Sequence, residues 1–223
     1  MTAVAQTRAH RSTPVRTSSI ASPVALPPDA QRKLDAYLDL LVKWNRTFNL
    51  TAIRDRAGMV THHLNDALAI LPHLPGAPAL RVLDVGTGAG VPGIPIAIAR
   101  PEWRVVLLDA NQKKVAFLTQ AAIELALSNV TAVAARVEDY RPDAPFDVIV
   151  SRAFSDLASF VRGAQHLLAP GGILVAMKGV YPHDEIAQLP PGMAIVADPA
   201  LEVPGLDAQR HLIVMRPTPE SAP

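Results

Sequence analysis

Cysteine is absent from the 223 residues of this chain. Its absence excludes disulfides, thiolate metal sites and cysteine nucleophiles. Aromatic residues are scarce, at 4%, although 49% of the chain is hydrophobic. The core is therefore expected to consist mainly of aliphatic side chains and alanine. No apolar run is long enough to span a membrane, and the N-terminus lacks the apolar segment of a secretory signal. We expect a cytoplasmic protein without a membrane anchor, and a monomer.

Acidic residues are absent before Asp29, whereas the first 28 residues contain Arg8, Arg11 and Arg16 among many Ser, Thr and Pro residues. This composition predicts a disordered basic tail over 1–28. An organellar transit peptide has a similar composition, but the prolines disfavour its amphipathic helix. Residues 1–60 hold nine Lys and Arg against four Asp and Glu. Either the N-terminal end has an anionic partner or the charges are merely solvated.

Helical periodicity begins after Asp29, where Leu34, Leu38 and Leu41 fall on one face. A second helical stretch is expected from about Asp55 to Leu74, and together they predict a helical cap over 29–78. The remainder, 79–223, alternates short apolar runs with helical patterns. Strands are predicted at 81–85, 104–109, 130–135, 146–151 and 172–177, and helices near 92–100, 111–127, 155–168 and 183–188. This alternation is typical of an α/β doubly wound parallel sheet. Two final strands without a helix between them predict a C-terminal antiparallel hairpin at the sheet edge.

A glycine-rich turn follows the first strand of that domain. Gly86, Gly88 and Gly90 alternate after "RVLDV", and a helix begins shortly afterwards, which is a suitable place for a nucleotide or a carboxylate. The pattern GxGxxG at 88–93 would suggest a dinucleotide, but it begins two residues after the turn does. Asp84 would repel a pyrophosphate and could pair with an ammonium group, which favours S-adenosylmethionine. Alternatively, Asp84 is only a structural acid or helix cap.

Further polar residues fall at the predicted carboxyl ends of the strands, where open α/β sheets bind ligands. Asp109 ends the second strand and could accept hydrogen bonds from ribose hydroxyls, or it could cap the next helix. Val137 and Glu138 follow the third strand, where an adenine could pack, although Glu138 could equally be a first-turn helix acid. The segment "SRAF" at 151–154 follows the fourth strand.

Several segments together resemble one family. They are "LLVKWNRTFNLTAIRD" at 40–55, "LDVGTGAGVPGIPIAIARPE" at 83–102, "VEDY" at 137–140, "FDVIVSRAF" at 146–154, "AMKG" at 176–179 and "QRHLIVM" at 209–215. The chain resembles the bacterial small-subunit ribosomal RNA guanine-N7 methyltransferases, also called glucose-inhibited division protein B, over about 31–216. One departure is "THHLNDAL" at 61–68, where the family usually has Arg-x-Ile-Leu-Asp-Ser: Asp66 keeps the acid, but Asn65 and Ala67 differ.

The resemblance implies a class I S-adenosylmethionine-dependent methyltransferase fold, which is Rossmann-like. It also implies S-adenosylmethionine as donor and one guanine in the decoding-region loop of 16S rRNA as acceptor, in the small ribosomal subunit or its assembly intermediate. The implied donor-binding residues are Gly86, Val91, Val137, Glu138 and Arg152. The residues themselves add Asp84, Gly88, Gly90 and Asp109 to the predicted donor site.

The chemistry of the acceptor agrees with this resemblance. Guanine N7 has an in-plane lone pair and no proton, so its methylation needs orientation rather than a general base. Arg152 and Lys178 are therefore predicted as catalytic residues that position the reactants. Arg152 could alternatively form a structural ion pair. Phe154 is a candidate platform for the target base, or a packing residue. Predicted RNA contacts are Lys43, Arg46, Lys178, Arg210 and His211, with Arg8, Arg11, Arg16, Arg32 and Lys33 as further phosphate contacts.

No metal site is predicted. His62 or His63 could share a helix face with Asp66, but a third ligand at suitable spacing is lacking. The other function classes considered are a methyltransferase of another substrate, a nicotinamide-dependent oxidoreductase and an inactive nucleotide-binding module. An oxidoreductase would need a substrate domain, and the short segment after Gly179 leaves little room for one.

Overall fold

The computed structural model describes residues 19–152 and 154–218. Arg8, Arg11 and Arg16 of the predicted tail lie outside the described residues, as does Ala153 of "SRAF". Residues 19–28, which composition assigned to the tail, run along the body. Ile20, Val24 and Leu26 pack against the core there, which explains why this part of the tail has a defined path.

The N-terminal part is helical. Helix α1 spans Ala30–Phe48 and buries Leu34, Leu38 and Leu41, as its periodicity predicts. The second helical stretch is divided into α2 (Arg56–Met59), a π-helix (Val60–Asn65), α3 (Asp66–Leu68) and a 3₁₀ turn (Leu71–His73). Asp55 caps α2 by accepting a hydrogen bond from the Gly58 amide at 2.7 Å. A domain boundary near residue 79 stays a prediction.

Seven strands form one sheet in the order β3-β2-β1-β4-β5-β7-β6. They are β1 (Arg81–Val85), β2 (Arg104–Asp109), β3 (Val130–Ala134), β4 (Phe146–Ser151), β5 (Leu168–Lys178), β6 (Met193–Ala197) and β7 (His211–Pro217). Strands β1 to β5 are parallel, and β7 pairs antiparallel with both β5 and β6. The intervening helices are α4 (Gly93–Ala99), α5 (Gln112–Glu124), α6 (Leu157–Ala164) and α7 (His183–Ile186).

Apolar side chains cover both faces of the sheet, as a parallel sheet requires. One core lies between the sheet and α1, α4 and α5, and includes Val82, Leu107 and Val150. The other lies between the sheet and α6, and includes Leu83 and Ile149. The doubly wound sheet predicted from the sequence is thus confirmed. The carboxyl edge, where β1 to β5 end, remains free to form a site.

The C-terminal hairpin is present, but its strands are ordered differently from a hairpin added at the edge. β7 lies between β5 and β6, so of the two hairpin strands only β6 is at the edge, and β3 forms the other edge of the sheet. Strand β5 is longer than the predicted 172–177, because Leu168 already pairs with Phe146 at its beginning. Within the described residues, none of the helices has the length and hydrophobicity needed to cross a bilayer.

Candidate functional site

A cavity of about 250 Å³ lies at the carboxyl ends of β1, β2 and β3. Four predicted donor-binding residues contribute to its wall: Gly86, Asp109, Val137 and Glu138. The rest of the lining is formed by Val85, Leu108, Ala110, Ala135, Arg136 and Phe154. The predicted residues Asp84, Gly88, Gly90, Val91 and Arg152 do not line it. Four of the nine predicted donor-binding residues therefore line the cavity, and five do not.

The glycine turn has the backbone that alternating glycines permit. Gly86, Gly88 and Gly90 have φ of 66°, 60° and 93°, values that other residues rarely adopt. A side chain at Gly90 is also excluded sterically, since its Cβ would lie 2.5 Å from Ile94 Cδ1. Val91 is buried under the turn, in the core beside α1. Gly88, Gly90 and Val91 therefore belong to the turn without lining the cavity.

Asp84 faces the turn, as predicted, but its carboxylate is partly engaged there. Oδ2 accepts hydrogen bonds from Thr87 Oγ1 at 2.6 Å and from the Gly93 amide at 2.8 Å, so it joins β1 to the beginning of α4. Oδ1 is buried without a hydrogen-bond partner among the described residues. Burial raises the pKa of Asp84 to about 6, against the lowering effect of the Thr87 and Gly93 hydrogen bonds. Pairing of Oδ1 with a donor ammonium stays a prediction.

Asp109 lies at the end of β2, in the cavity wall. Its Oδ2 accepts a hydrogen bond from the Gly88 amide at 2.9 Å and lies 3.5 Å from Lys114 Nζ, while Oδ1 accepts one from the Asn111 amide at 2.8 Å. The N-cap of α5 is Asn111 rather than Asp109. Asp109 therefore fixes the glycine turn to β2 through the Gly88 amide, and it also lines the cavity. Glu138 is exposed at the opposite side of the wall.

Arg152 forms an ion pair, which was the structural alternative to its predicted roles in donor binding and positioning. Its Nη1 donates a hydrogen bond to the His62 carbonyl at 2.9 Å and lies 3.5 Å from Asp66 Oδ2. The Nε of Arg210 donates to Asp66 Oδ1 at 3.1 Å. Burial raises the pKa of Asp66, and the two guanidinium groups oppose that shift. One buried carboxylate thus joins the helical segment to the ends of β4 and β7.

Lys178 and Phe154 complete the carboxyl edge. Lys178 Nζ is 2.7 Å from Glu185 Oε2, which also accepts a hydrogen bond from the Leu157 amide. Lys178 is therefore engaged with an acid rather than presented as a base.

Phe154 packs on Phe160 with ring centroids 5.0 Å apart. It lines the donor cavity and also a small cavity of about 10 Å³ that Arg152 and Lys178 share.

His63 and His211 each contact a neighbouring side chain. His63 Nε2 is 2.9 Å from Thr51 Oγ1, and burial, with Arg152 nearby, lowers the pKa of His63 to about 4. His211 lies opposite Lys178 across β5 and β7, and its ring meets the edge of Tyr181. Among the described residues, no group of three or more His, Asp or Glu side chains is placed to hold a metal ion.

The remaining predicted RNA contacts lie on α1. Lys43 and Arg46 are exposed near its end, and Arg32 is exposed near its beginning. Lys33 forms an ion pair with Asp29 at 3.1 Å. These residues are accessible to an anionic partner, and their contacts with RNA stay predictions.

Sequence reasoning missed three residues that shape the site. Arg136 lines the donor cavity. Tyr37 of α1 donates a hydrogen bond to the Ala89 carbonyl at 2.7 Å, which ties the first helix to the glycine turn. Asn65, at the end of the π-helix, bridges two distant segments. Of these, only Asn65 had a sequence signal, because it departs from the family pattern.

The fold and the glycine turn beside acidic strand ends define a class I methyltransferase. Solved structures support the fold. TrmN from Thermus thermophilus matches with a TM-score of 0.55 and 24% identity, over 71% of this chain and 53% of that one. A SAM dependent methyltransferase from Aquifex aeolicus matches with a TM-score of 0.57 and 19% identity, over 75% of this chain and 96% of that one.

Sequence comparison gives the family. The model of the family described as GidB, rRNA small subunit methyltransferase G, matches residues 30–213. A ribosomal RNA small subunit methyltransferase G of Chromobacterium violaceum is 57% identical over 182 residues, 82% of this chain and 86% of the relative. Another, from Nitrosospira multiformis, is 53% identical over 193 residues, 83% of this chain and 88% of the relative. The chain belongs to the rRNA small subunit methyltransferase G family.

Proposed function

We propose that this protein transfers the methyl group of S-adenosylmethionine to N7 of one guanine in the decoding-region loop of 16S rRNA. The observation that carries the proposal is the family match over residues 30–213, together with relatives above 50% identity that bear the name ribosomal RNA small subunit methyltransferase G.

The cavity residues suit this donor. Asp109 and Glu138 line the cavity on two sides, and Asp84 lies buried behind the turn. Three carboxylates favour a ligand that carries positive charge and hydroxyl groups, and they disfavour the pyrophosphate of a dinucleotide. We assign the ribose hydroxyls to Asp109, the adenine to Val137 and Glu138, and the ammonium group to the side of Asp84. The bound donor supplies an electrophilic methyl group on a sulfonium.

The carboxyl ends of β4 and β5, where Arg152 and Lys178 lie, suit a reaction without a general base. Guanine N7 attacks the methyl carbon with its lone pair, a C–N bond forms as the C–S bond breaks, and no proton leaves. Lys178 is held by Glu185, and Arg152 by Asp66. We infer that these two residues orient the RNA through the N–H donors that their acids leave unused. Orientation alone can contribute up to roughly 7–11 kcal/mol to such a transfer.

Asp84 beside the glycine turn also speaks against the pyrophosphate of a nicotinamide cofactor, whereas Asp109 would suit the ribose of either ligand. A methyltransferase that acts on another substrate would use the same donor half, so only the acceptor separates it from the proposal. We further propose that the substrate is encountered in the cytoplasm, in the small ribosomal subunit or its assembly intermediate, by a monomer of this protein.

The substrate can be tested in the host. Deletion of the gene should remove one 7-methylguanine from 16S rRNA, detected as loss of the chain cleavage that aniline produces at that base. Complementation with the wild-type gene should restore the cleavage. An unchanged cleavage pattern in the deletion strain would reject the proposed acceptor.

The donor can be tested separately by calorimetry. The purified protein should release or absorb heat when titrated with S-adenosylmethionine and give no signal with NAD. Binding of NAD alone would support the oxidoreductase instead.

A further inference from the structure

Glu185 joins three elements through one carboxylate oxygen. Its Oε2 accepts a hydrogen bond from Lys178 Nζ at 2.7 Å and another from the Leu157 amide at 2.8 Å. Lys178 is the last residue of β5, Leu157 is the first residue of α6, and Glu185 itself belongs to α7. The side chains of Lys178 and Glu185 are 13% and 27% exposed, so the ion pair is largely shielded from water.

The bond to Leu157 is separate from the capping of α6. Asp156 already caps this helix by accepting a hydrogen bond from the Ser159 amide at 2.7 Å. The first amides of a helix have no carbonyl partner within it, and water can satisfy them. The Leu157 amide instead finds its acceptor on a residue 28 positions further along the chain. The glutamate therefore fixes where α6 begins relative to the end of β5.

The position of α6 in turn determines the position of Phe154. The ring of Phe154 packs on Phe160 of α6 with centroids 5.0 Å apart. A Cβ at Gly163 of α6 would lie 3.3 Å from Val137 Cγ1 and 3.8 Å from Phe154 Cζ, so the helix runs close to both residues. Phe154 lines the donor cavity and also the small cavity at the ends of β4 and β5. A shift of α6 would therefore move a shared wall of the two cavities.

Methyl transfer is sensitive to this shared wall. In the proposed reaction the donor occupies the cavity at the ends of β1, β2 and β3, and the guanine approaches from the ends of β4 and β5, with Phe154 between them. The N7 lone pair must lie in line with the bond between the methyl carbon and sulfur. A displacement of about 1 Å can reduce the rate of such a transfer by about 100-fold.

We propose that Glu185 is a positioning residue for methyl transfer: it holds the beginning of α6 against Lys178, and thereby holds Phe154 where the guanine meets the donor methyl group. This inference rests on the proposed function. Glu185 touches neither reactant and takes no proton. The reach of its side chain should therefore matter to the rate, whereas its charge should not.

Three substitutions of Glu185 separate reach from charge. Glu185→Ala removes both hydrogen bonds, and Glu185→Asp keeps the charge on a side chain that is one methylene shorter. Both should lower kcat for methyl incorporation into small subunits from a deletion strain by roughly 10- to 100-fold. Glu185→Gln keeps the length, and its single amide oxygen can accept both bonds, so its kcat should stay within about threefold of wild type.

Further measurements distinguish positioning from a loss of folding. The affinity for S-adenosylmethionine should stay within about threefold in all three variants, because Glu185 does not line the donor cavity. The stoichiometry of donor binding gives the folded fraction to which kcat is referred, and KM for the subunits should change less than kcat. Amide hydrogen exchange over residues 157–160 should accelerate in Glu185→Ala and Glu185→Asp, but not in Glu185→Gln. Should Glu185→Ala fail to fold, the comparison of Glu185→Asp with Glu185→Gln decides.

Asp184→Ala is the matched control. Asp184 is exposed on the same helix, and its substitution changes the net charge as Glu185→Ala does. The control should keep kcat within about twofold of wild type. An equal loss of kcat in Asp184→Ala and Glu185→Ala would reduce the effect to local charge and overturn the proposal. A Glu185→Gln variant as slow as Glu185→Ala, or a Glu185→Asp variant as fast as wild type, would overturn it too.

The activity of the wild-type protein on the same subunits separates the two proposals. A wild-type protein that does not methylate them would defeat the proposed function. A wild-type protein that methylates them, with a folded Glu185→Ala variant that is equally fast, would defeat the positioning role alone.

Discussion

Asp84 connects the fold and the donor site through one side chain. Its Oδ2 holds Thr87 and the beginning of α4, while Oδ1 is buried without a partner among the described residues. Since burial raises its pKa to about 6, the folded state binds a proton between about pH 4 and pH 6 that the unfolded chain has already released. The contribution of this carboxyl to stability is therefore greatest at low pH and is lost as the pH rises through 6.

Asp84→Asn should remove this dependence and keep an oxygen acceptor for the turn. The free energy of unfolding of the variant relative to wild type should increase by up to about 3 kcal/mol between pH 4 and pH 7. Urea denaturation at several pH values measures it. The same variant should bind S-adenosylmethionine at least about tenfold more weakly, because the neutral amide offers no charge to the ammonium group. Parallel pH profiles for both proteins would contradict the raised pKa.

His63 has the opposite effect on the pH profile. Burial beside Arg152 lowers its pKa to about 4, so the unfolded chain binds a proton between about pH 6.5 and pH 4 that the folded chain does not. Its contribution is present above pH 6.5 and is lost as the pH falls toward 4. His63→Gln should reduce the loss of stability on acidification by up to about 3 kcal/mol. Because Asp84 and His63 oppose each other over this range, wild type should vary less with pH than either variant.

At the scale of elements, the Asp66 ion pairs join the helical segment to the sheet. Asp66→Ala would leave the guanidinium groups of Arg152 and Arg210 without their acid, and should cost about 3–5 kcal/mol. Asp66→Asn keeps one acceptor and should cost less. Thermal or urea unfolding measures both. Asp143→Ala is the control, because it breaks an ion pair with Arg81 whose acid is exposed, and it should leave stability unchanged. Equal losses of stability at Asp66 and Asp143 would mean that the buried ion pairs stabilise the protein no more than an exposed one does.

The glycine turn can be tested with two alanine variants that separate strain from crowding. Gly90→Ala combines a φ of 93° with a Cβ 2.5 Å from Ile94 and 2.9 Å from Leu118. It should cost about 2–4 kcal/mol and impair donor binding by displacing the turn. Gly171→Ala has a φ of 78° and open space around its Cβ, so it should cost only about 1 kcal/mol. A similar cost at both positions would show that packing at Gly90 can relax.

At the scale of the whole molecule, donor binding should stabilise the native state. A ligand at 100 times its dissociation constant adds about 2.7 kcal/mol to the free energy of unfolding. We expect S-adenosylmethionine to raise the melting temperature in a concentration-dependent way, and NAD at the same concentrations to leave it unchanged. A rise in melting temperature with NAD would contradict the assignment of the cavity to S-adenosylmethionine.

The sequence predicted those parts of the fold that depend on local pattern. The strands 81–85, 104–109 and 146–151 were predicted at their observed bounds, because apolar runs between turn signals mark buried strands. The π-helix at 60–65 and the position of β7 between β5 and β6 were not predicted. Both depend on which backbone groups form hydrogen bonds with each other, and apolar periodicity does not specify this.

The site residues likewise divide into those that local pattern predicts and those that depend on the packing of distant segments. Gly86, Asp109, Val137 and Glu138 line the cavity because each ends or follows a strand whose end the pattern locates. The partner of Arg152 was not predictable, since Asp66 lies 86 residues away and reaches it through the packing of the helical segment on the sheet. Long-range ion pairs of this kind depend on the assembled fold, which sequence spacing does not reveal.

The placement of β7 sets an order of events during synthesis. β6 leaves the ribosome before β7, yet its partner in the sheet is β7, and β5 also has an open side until β7 arrives. A nascent chain that ends before His211 therefore exposes the apolar edge of β5 and an unpaired β6. Such edges promote aggregation, so the pairing of β7 both covers the side of β5 and gives β6 its partner.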